Sequence, residues 1–144
     1  MIFALPAMTD AYVRMLQASG DLTGEIVLDG PAARDAGMEG IAVGASRENP
    51  AGDFTVNVSD LASDNAQTIR LVCLAWVRSG DLTFTAARNR VVQLVGFADA
   101  ALSADRTLGG TVSTAWITDG VFDQELDDTG ILVTIEFRIE GTLF

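Results

Sequence analysis

The groups able to do chemistry in this chain are almost all carboxylates. Asp119, Asp123, Glu125, Asp127 and Asp128 form the densest cluster, and oxygen ligands packed so closely would suit calcium or magnesium. Their spacing departs from an EF-hand loop, which sets alternate oxygen ligands ahead of a central glycine. The cluster therefore reads as a solvated loop between two strands. Asp60 and Asp64 could sit together and work as acid and base, but nothing in the sequence sets their environments apart. Arg88 and Arg90 could hold a phosphate, although surface or inter-subunit salt bridges are the commoner role of such arginines.

The absences exclude more than the acids suggest. The 144 residues contain no histidine, so neither a Ser-His-Asp nor a Cys-His site can be built. All nine basic residues are arginine, which removes a lysine nucleophile and fits a GC-rich coding bias. Cys73 is the one cysteine; it permits no intrachain disulfide and, within Leu71-Val72-Cys73-Leu74-Ala75, reads as a small apolar residue. A zinc site lacks its ligands. Gly37, Gly40 and Gly44 are spaced for neither a Walker loop nor a dinucleotide fingerprint. The reading is a protein without cofactor or metal that is not an enzyme.

Charge points the same way. The formal net charge is −11, and nucleic-acid binding needs clustered positive charge. DNA could pass such a surface without adhering. Hydrophobic residues make up 49% of the chain, enough for one packed domain over residues 1–144. No apolar run reaches the roughly 20 residues of a membrane helix. The apolar start, Met1 to Met8, has no basic residue before it and Asp10 soon after, so an intracellular soluble protein is expected.

The elements that would position these groups follow from periodicity. Leu5, Met8, Tyr12, Met15 and Leu16 recur at helical spacing, with a start near Pro6 and a stop at Gly20. Short strands are expected at 25–29, before the Gly30-Pro31 turn, and at 41–43. Residues 45–66 are polar and form a long loop or hairpin, with a strand at 54–58. The run 67–78 is the strongest strand, apolar on both faces and hence central and covered at least partly on both sides. Thr83 or Thr85 caps a second helix with an apolar stripe of Ala87, Val91, Leu94, Val95, Ala98 and Leu102. Strands at 112–118 and 129–140 complete an α+β domain with a mainly antiparallel sheet and two principal helices.

Two further features carry candidate roles. Trp76 and Trp116 both lie on strands; core packing is the ordinary role, and an interface anchor is the alternative. Gly109 and Gly110 sit where the second helix hands over to a strand, and glycine there admits positive φ or close approach.

The ordered set of segments resembles a known family. Val27-Leu28-Asp29-Gly30-Pro31 follows an N-terminal helix, then come Ile41-Ala42-Val43-Gly44 and a strand entering Ser79-Gly80-Asp81. A helix with Ala86-Ala87-Arg88, the Leu108-Gly109-Gly110-Thr111-Val112 segment and a strand ending Phe137-Arg138-Ile139 complete it. Together, from about Glu25 onward, these resemble the tail terminator (tail completion) proteins of long-tailed phages and related gene-transfer particles. The loop at 45–65 has no counterpart in the resemblance.

The resemblance implies a non-enzymatic virion protein at the head-proximal end of the tail. It implies a homo-oligomer, a hexameric ring that caps the tube of the tail tube protein, stops its polymerisation and meets the head-tail connector protein. DNA would pass through the lumen without sequence-specific binding, which six strongly acidic copies would permit. Other readings stay open: another head-tail connector or tube-ring subunit, a metal-assisted enzyme using the acids between 119 and 128, or an acidic adaptor or DNA mimic that binds a basic partner.

Overall fold

A computed structural model of the chain describes residues 4–30, 38–45, 54–57, 68–80, 83–127 and 130–143. Asp60, Asp64, Asp128 and most of the expected 45–66 loop lie outside the described residues.

The first helix, α1, runs Ala4–Ala18. Leu5, Met8, Tyr12 and Leu16 fall three or four residues apart, so they share one face, and all four are buried. The Ser19 N–H donates to the Leu16 carbonyl at 3.1 Å, closing the helix. A single 3-10 turn, Gly20–Leu22, then tucks Leu22 into the core. Gly24, at φ 84°, redirects the chain into the sheet.

The sheet contains β1 (Ile26–Asp29), β2 (Glu39–Val43), β3 (Phe54–Asn57), β4 (Thr68–Ser79), β5 (Thr114–Asp127) and β6 (Gly130–Thr142). The lateral order is β1-β2-β4-β6-β5. Among the described residues, only β1 and β2 pair in parallel, and every other pairing is antiparallel. β2 and β3 share one side of β4, with β2 on Cys73 to Val77 and β3 on Thr68 to Leu71. The mainly antiparallel α+β architecture expected from the sequence is the one observed.

The strand expected over 67–78 is central, as its apolar faces require. Ile69, Leu71, Cys73, Ala75 and Val77 meet the helices, while Val72 and Trp76 are buried on the opposite face. Helix α2 (Phe84–Ala104) begins at Thr83, whose Oγ1 accepts the Ala86 N–H at 3.1 Å. Its Ala87, Val91, Leu94, Ala98 and Leu102 are buried in the same core as α1. The Tyr12 hydroxyl donates to the Ala98 carbonyl at 3.2 Å, so the one buried phenol joining the helices is satisfied.

One expectation is corrected here. Asp119, Asp123 and Glu125 are not on a loop: β5 continues through them to Asp127, two residues short of Gly130, where β6 begins. Aspartate and glycine disfavour strands, but β6 supplies a continuous template from Gly130 to Thr142, and pairing overrides intrinsic preference. A register shift between Ile117 and Asp119 leaves Thr118 as the extra residue of a bulge.

Candidate functional site: a free sheet edge

The expected site residues are dispersed, and each has a local reason for its place. Gly109 and Gly110 adopt φ 70° and 85°, directly after Leu108 at φ 48°. Three successive left-handed residues are rare in L-amino acids. Asp105 holds them: its carboxylate accepts the Thr107 N–H (3.0 Å), the Thr107 hydroxyl (2.6 Å) and the Gly109 N–H (2.9 Å). These bonds, the Thr107 hydroxyl first, pull the Asp105 carboxyl below its ordinary value. Meanwhile Leu108 is fully buried. The segment that carries the family resemblance is thus a rigid turn that anchors one leucine between α2 and β5.

Arg88 and Arg90 stand two positions apart, roughly 200° around the helix, and they reach opposite sides of the sheet. Arg88 Nη1 donates to Gln124 Oε1 on β5 at 3.3 Å, and its Nη2 to Thr85 Oγ1. Arg90 Nη2 meets Glu25 at 2.6 Å, beside β1, and its Nε meets Glu39 of β2 at 2.8 Å. Burial raises the Glu25 carboxyl above its ordinary value, the hydrogen bond and charge of Glu39 add to this, and Arg90 opposes both. Glu25 and Glu39 were not visible as partners of Arg90 in the sequence, because the pairings join residues 51 and 65 positions apart and follow only from topology; Asp105 bonds locally, to Thr107 and Gly109.

Trp76 and Trp116 occupy the sheet face opposite the helices without meeting. The Trp76 row across the sheet is Gly40, Trp76, Thr134 and Asp123. The Trp116 row is Arg70, Glu140 and Trp116, six residues away along β4 and so roughly 20 Å distant. Trp76 is 6% exposed, packed with Ala42, Ala45 and Leu132. It has the core role. Trp116 is half-buried, beside the Arg70–Glu140 ion pair of 3.2 Å.

Cys73 is fully buried, and burial pushes its thiol up to about 12, so it stays protonated. Among the described residues, no group of three or more His, Cys, Asp or Glu is placed to hold a metal ion. Successive acids on β5 are separated by two or four residues of extended backbone, about 7 and 13 Å. Asp119 instead meets Arg138 at 3.5 Å, and Arg138 also meets Glu136 at 3.5 Å.

What the structure brings together is the outer side of β5. It is the last strand of the sheet order, so that side has no partner strand among the described residues. Leu126 is 73% exposed, Val121 54% and Phe122 44%. The register puts Phe122 and Leu126 on the helix side of the sheet, with Asp119, Val121, Asp123 and Glu125 on the other. Long edges of soluble proteins are usually blunted by charged side chains, proline, a bulge or a covering element, and β5 has the bulge at Thr118 and the acids Asp119, Asp123 and Glu125. Here no described element covers the edge beyond the bulge, and neither lysine nor proline occurs in β5. Val121-Phe122-Asp123-Gln124-Glu125-Leu126 does not alternate, so no local sequence signal announced this strand.

Against known proteins, the chain matches no family model and no curated protein.

Proposed function

We propose that the protein is a ring-forming structural subunit of the tail-terminator kind, which caps a tail tube and joins it to the head-side connector. The observation that carries this reading is the β5 edge, which no described element covers and which is apolar at Val121, Phe122 and Leu126. The ordered resemblance of segments from Glu25 onward supports it independently.

The acids on the edge favour a ring over a two-fold dimer. Antiparallel pairing of two β5 strands with Phe122 against Phe122 would oppose Asp119 to Glu125. Centring on Val121 opposes Asp119 to Asp123, and centring on Asp123 opposes that residue to itself. Like charges directly opposite destabilise a strand pair. In these three registers the edge opposes like charges while it exposes apolar side chains, which favours a heterologous contact, and such a contact gives a ring where its rotation closes.

The test is the double variant Phe122→Ser, Leu126→Asp. Both side chains are exposed, so its unfolding curve should stay within about 0.5 kcal/mol of the parent. Incubated with tail tubes and imaged by negative stain, the parent caps the tubes and the variant leaves them open. Equal capping by both proteins would remove the edge from the account.

A further inference from the structure

We propose that the β5 edge pairs with the outer edge of β1 in a second copy of the chain, so that one sheet continues from subunit to subunit. The inference rests on the ring reading above and names the surface that the β5 edge meets. β1 and β5 are the two ends of the sheet order, and among the described residues neither has a partner strand on its outer side. β1 runs parallel to β2, β4 reverses, and β6 and β5 each reverse again. Within one chain β5 is therefore antiparallel to β1. A copy set beside the first in the same orientation brings its β1 antiparallel to this β5, with the helices of both copies on one side. Two different edges then meet, as a heterologous contact demands.

The charges allow this pairing where they oppose the two-fold one. Asp119, Asp123 and Glu125 stand beside Arg138, Thr134 and Leu132 of β6, on the sheet face away from the helices. Asp29 lies on the helix face, beside Val43, which belongs to the core under the helices. Successive side chains of a strand alternate between faces. In an antiparallel register that matches faces, Asp29 thus falls opposite Gly120, Phe122, Gln124 or Leu126 beyond the bulge, and none of these is acidic. Glu25, just before β1, is held by Arg90 at 2.6 Å.

One register matches the apolar side chains best. With Val27 opposite Phe122, Leu28 stands opposite Val121 and Ile26 opposite Asp123. Val27 and Leu28 are half-buried, and Phe122 and Val121 are the exposed apolar residues of β5 nearest its bulge. Two apolar cross-strand pairs form, one on each face of the sheet. Moving the register by two residues either way leaves at most one.

Introduced cysteines test this register, since Cys73 is fully buried. The chain carrying Leu28→Cys and Val121→Cys is oxidised with diamide, alone and after incubation with tail tubes, and run on non-reducing gels. Negative-stain images of the same samples show whether rings or capped tubes are present. The expected result is a ladder of covalent multimers, because directly opposite positions lie within reach of a disulfide. Neither single variant should give multimers. Leu28→Cys with Glu125→Cys, four residues out of register and so about 13 Å off, should yield at least about ten-fold less. Ile26→Cys with Asp123→Cys reads the same register if the first pair does not fold, with Trp76 fluorescence as the folding check. Rings or capped tubes without the Leu28–Val121 cross-link, or with equal yield from the Glu125 pair, overturn the pairing and leave the ring reading standing. Dimers from Val121→Cys alone, formed by two-fold β5 pairing, overturn both. Absence of any assembly in either condition also overturns both.

Discussion

Arg88 and Arg90 grip opposite edges of one sheet from the same helix. Arg88 reaches Gln124 on β5, and Arg90 reaches Glu25 and Glu39 beside β1 and on β2. Two residues of helix turn the second side chain roughly 200° from the first, which is what a helix lying across a sheet needs in order to hold both sides. The pair therefore fixes the sheet beneath α2 and, through Gln124, the strand whose free edge carries the functional reading.

The Arg90 contact predicts a pH signature. A carboxyl raised in the folded state holds its proton longer there than in the unfolded chain, so stability falls as pH rises through the window above 4.5. Arg90 moderates that fall. Arg90→Met should cost about 1–2 kcal/mol at pH 7, where the two carboxylates are left facing each other, and clearly less at pH 4. Urea unfolding at the two pH values measures the difference. An equal cost at both would assign Arg90 a packing role only.

Gly40 is indispensable for a steric reason. A Cβ there would lie 2.5 Å from the Ile26 carbonyl oxygen and 2.7 Å from Trp76 Cη2. The first obstacle is backbone, so β1 must shift before an alanine fits. Gly40→Ala should destabilise by about 2–3 kcal/mol and raise Trp76 exposure. Tryptophan fluorescence during unfolding reads both, and an unchanged midpoint would show that β1 yields freely.

Gly109 and Gly110 differ from Gly40 because nothing lies within 4 Å of a Cβ at either position. The constraint is the left-handed backbone alone. Gly110→Val should cost about 1–2 kcal/mol, whereas Gly110→Asn should cost less than half as much, since asparagine tolerates that conformation. Thermal unfolding of the two variants separates them. Because the Asp105 carboxyl lies below its ordinary value, its support for this turn is present at neutral pH and lost as pH falls below 3.8.

These particulars show what the sequence carried. The stripes of α1 and α2, the Thr83 cap and the two-faced β4 were legible because burial imposes periods of 3.6 and 2 on apolar residues. The glycine pair was legible as a handover, though not as a cradle closed by Asp105. The extent of β5 was not legible. Its residues after the bulge are acidic and glycine-bearing, and their strand character comes from β6, whose pairing no local pattern announces. The Arg90 clamp and the Gly40–Trp76 contact likewise join elements far apart in the chain. The candidate edge was thus visible only once the sheet order was known.

The role proposed for this chain is to end a tail tube and join it to a head. The most direct measurement is electron microscopy of particles assembled after deletion of its gene. The account predicts free heads and tails of irregular, extended length, with joining restored by the parent protein and not by Phe122→Ser, Leu126→Asp. Tails of normal length joined to heads would contradict it.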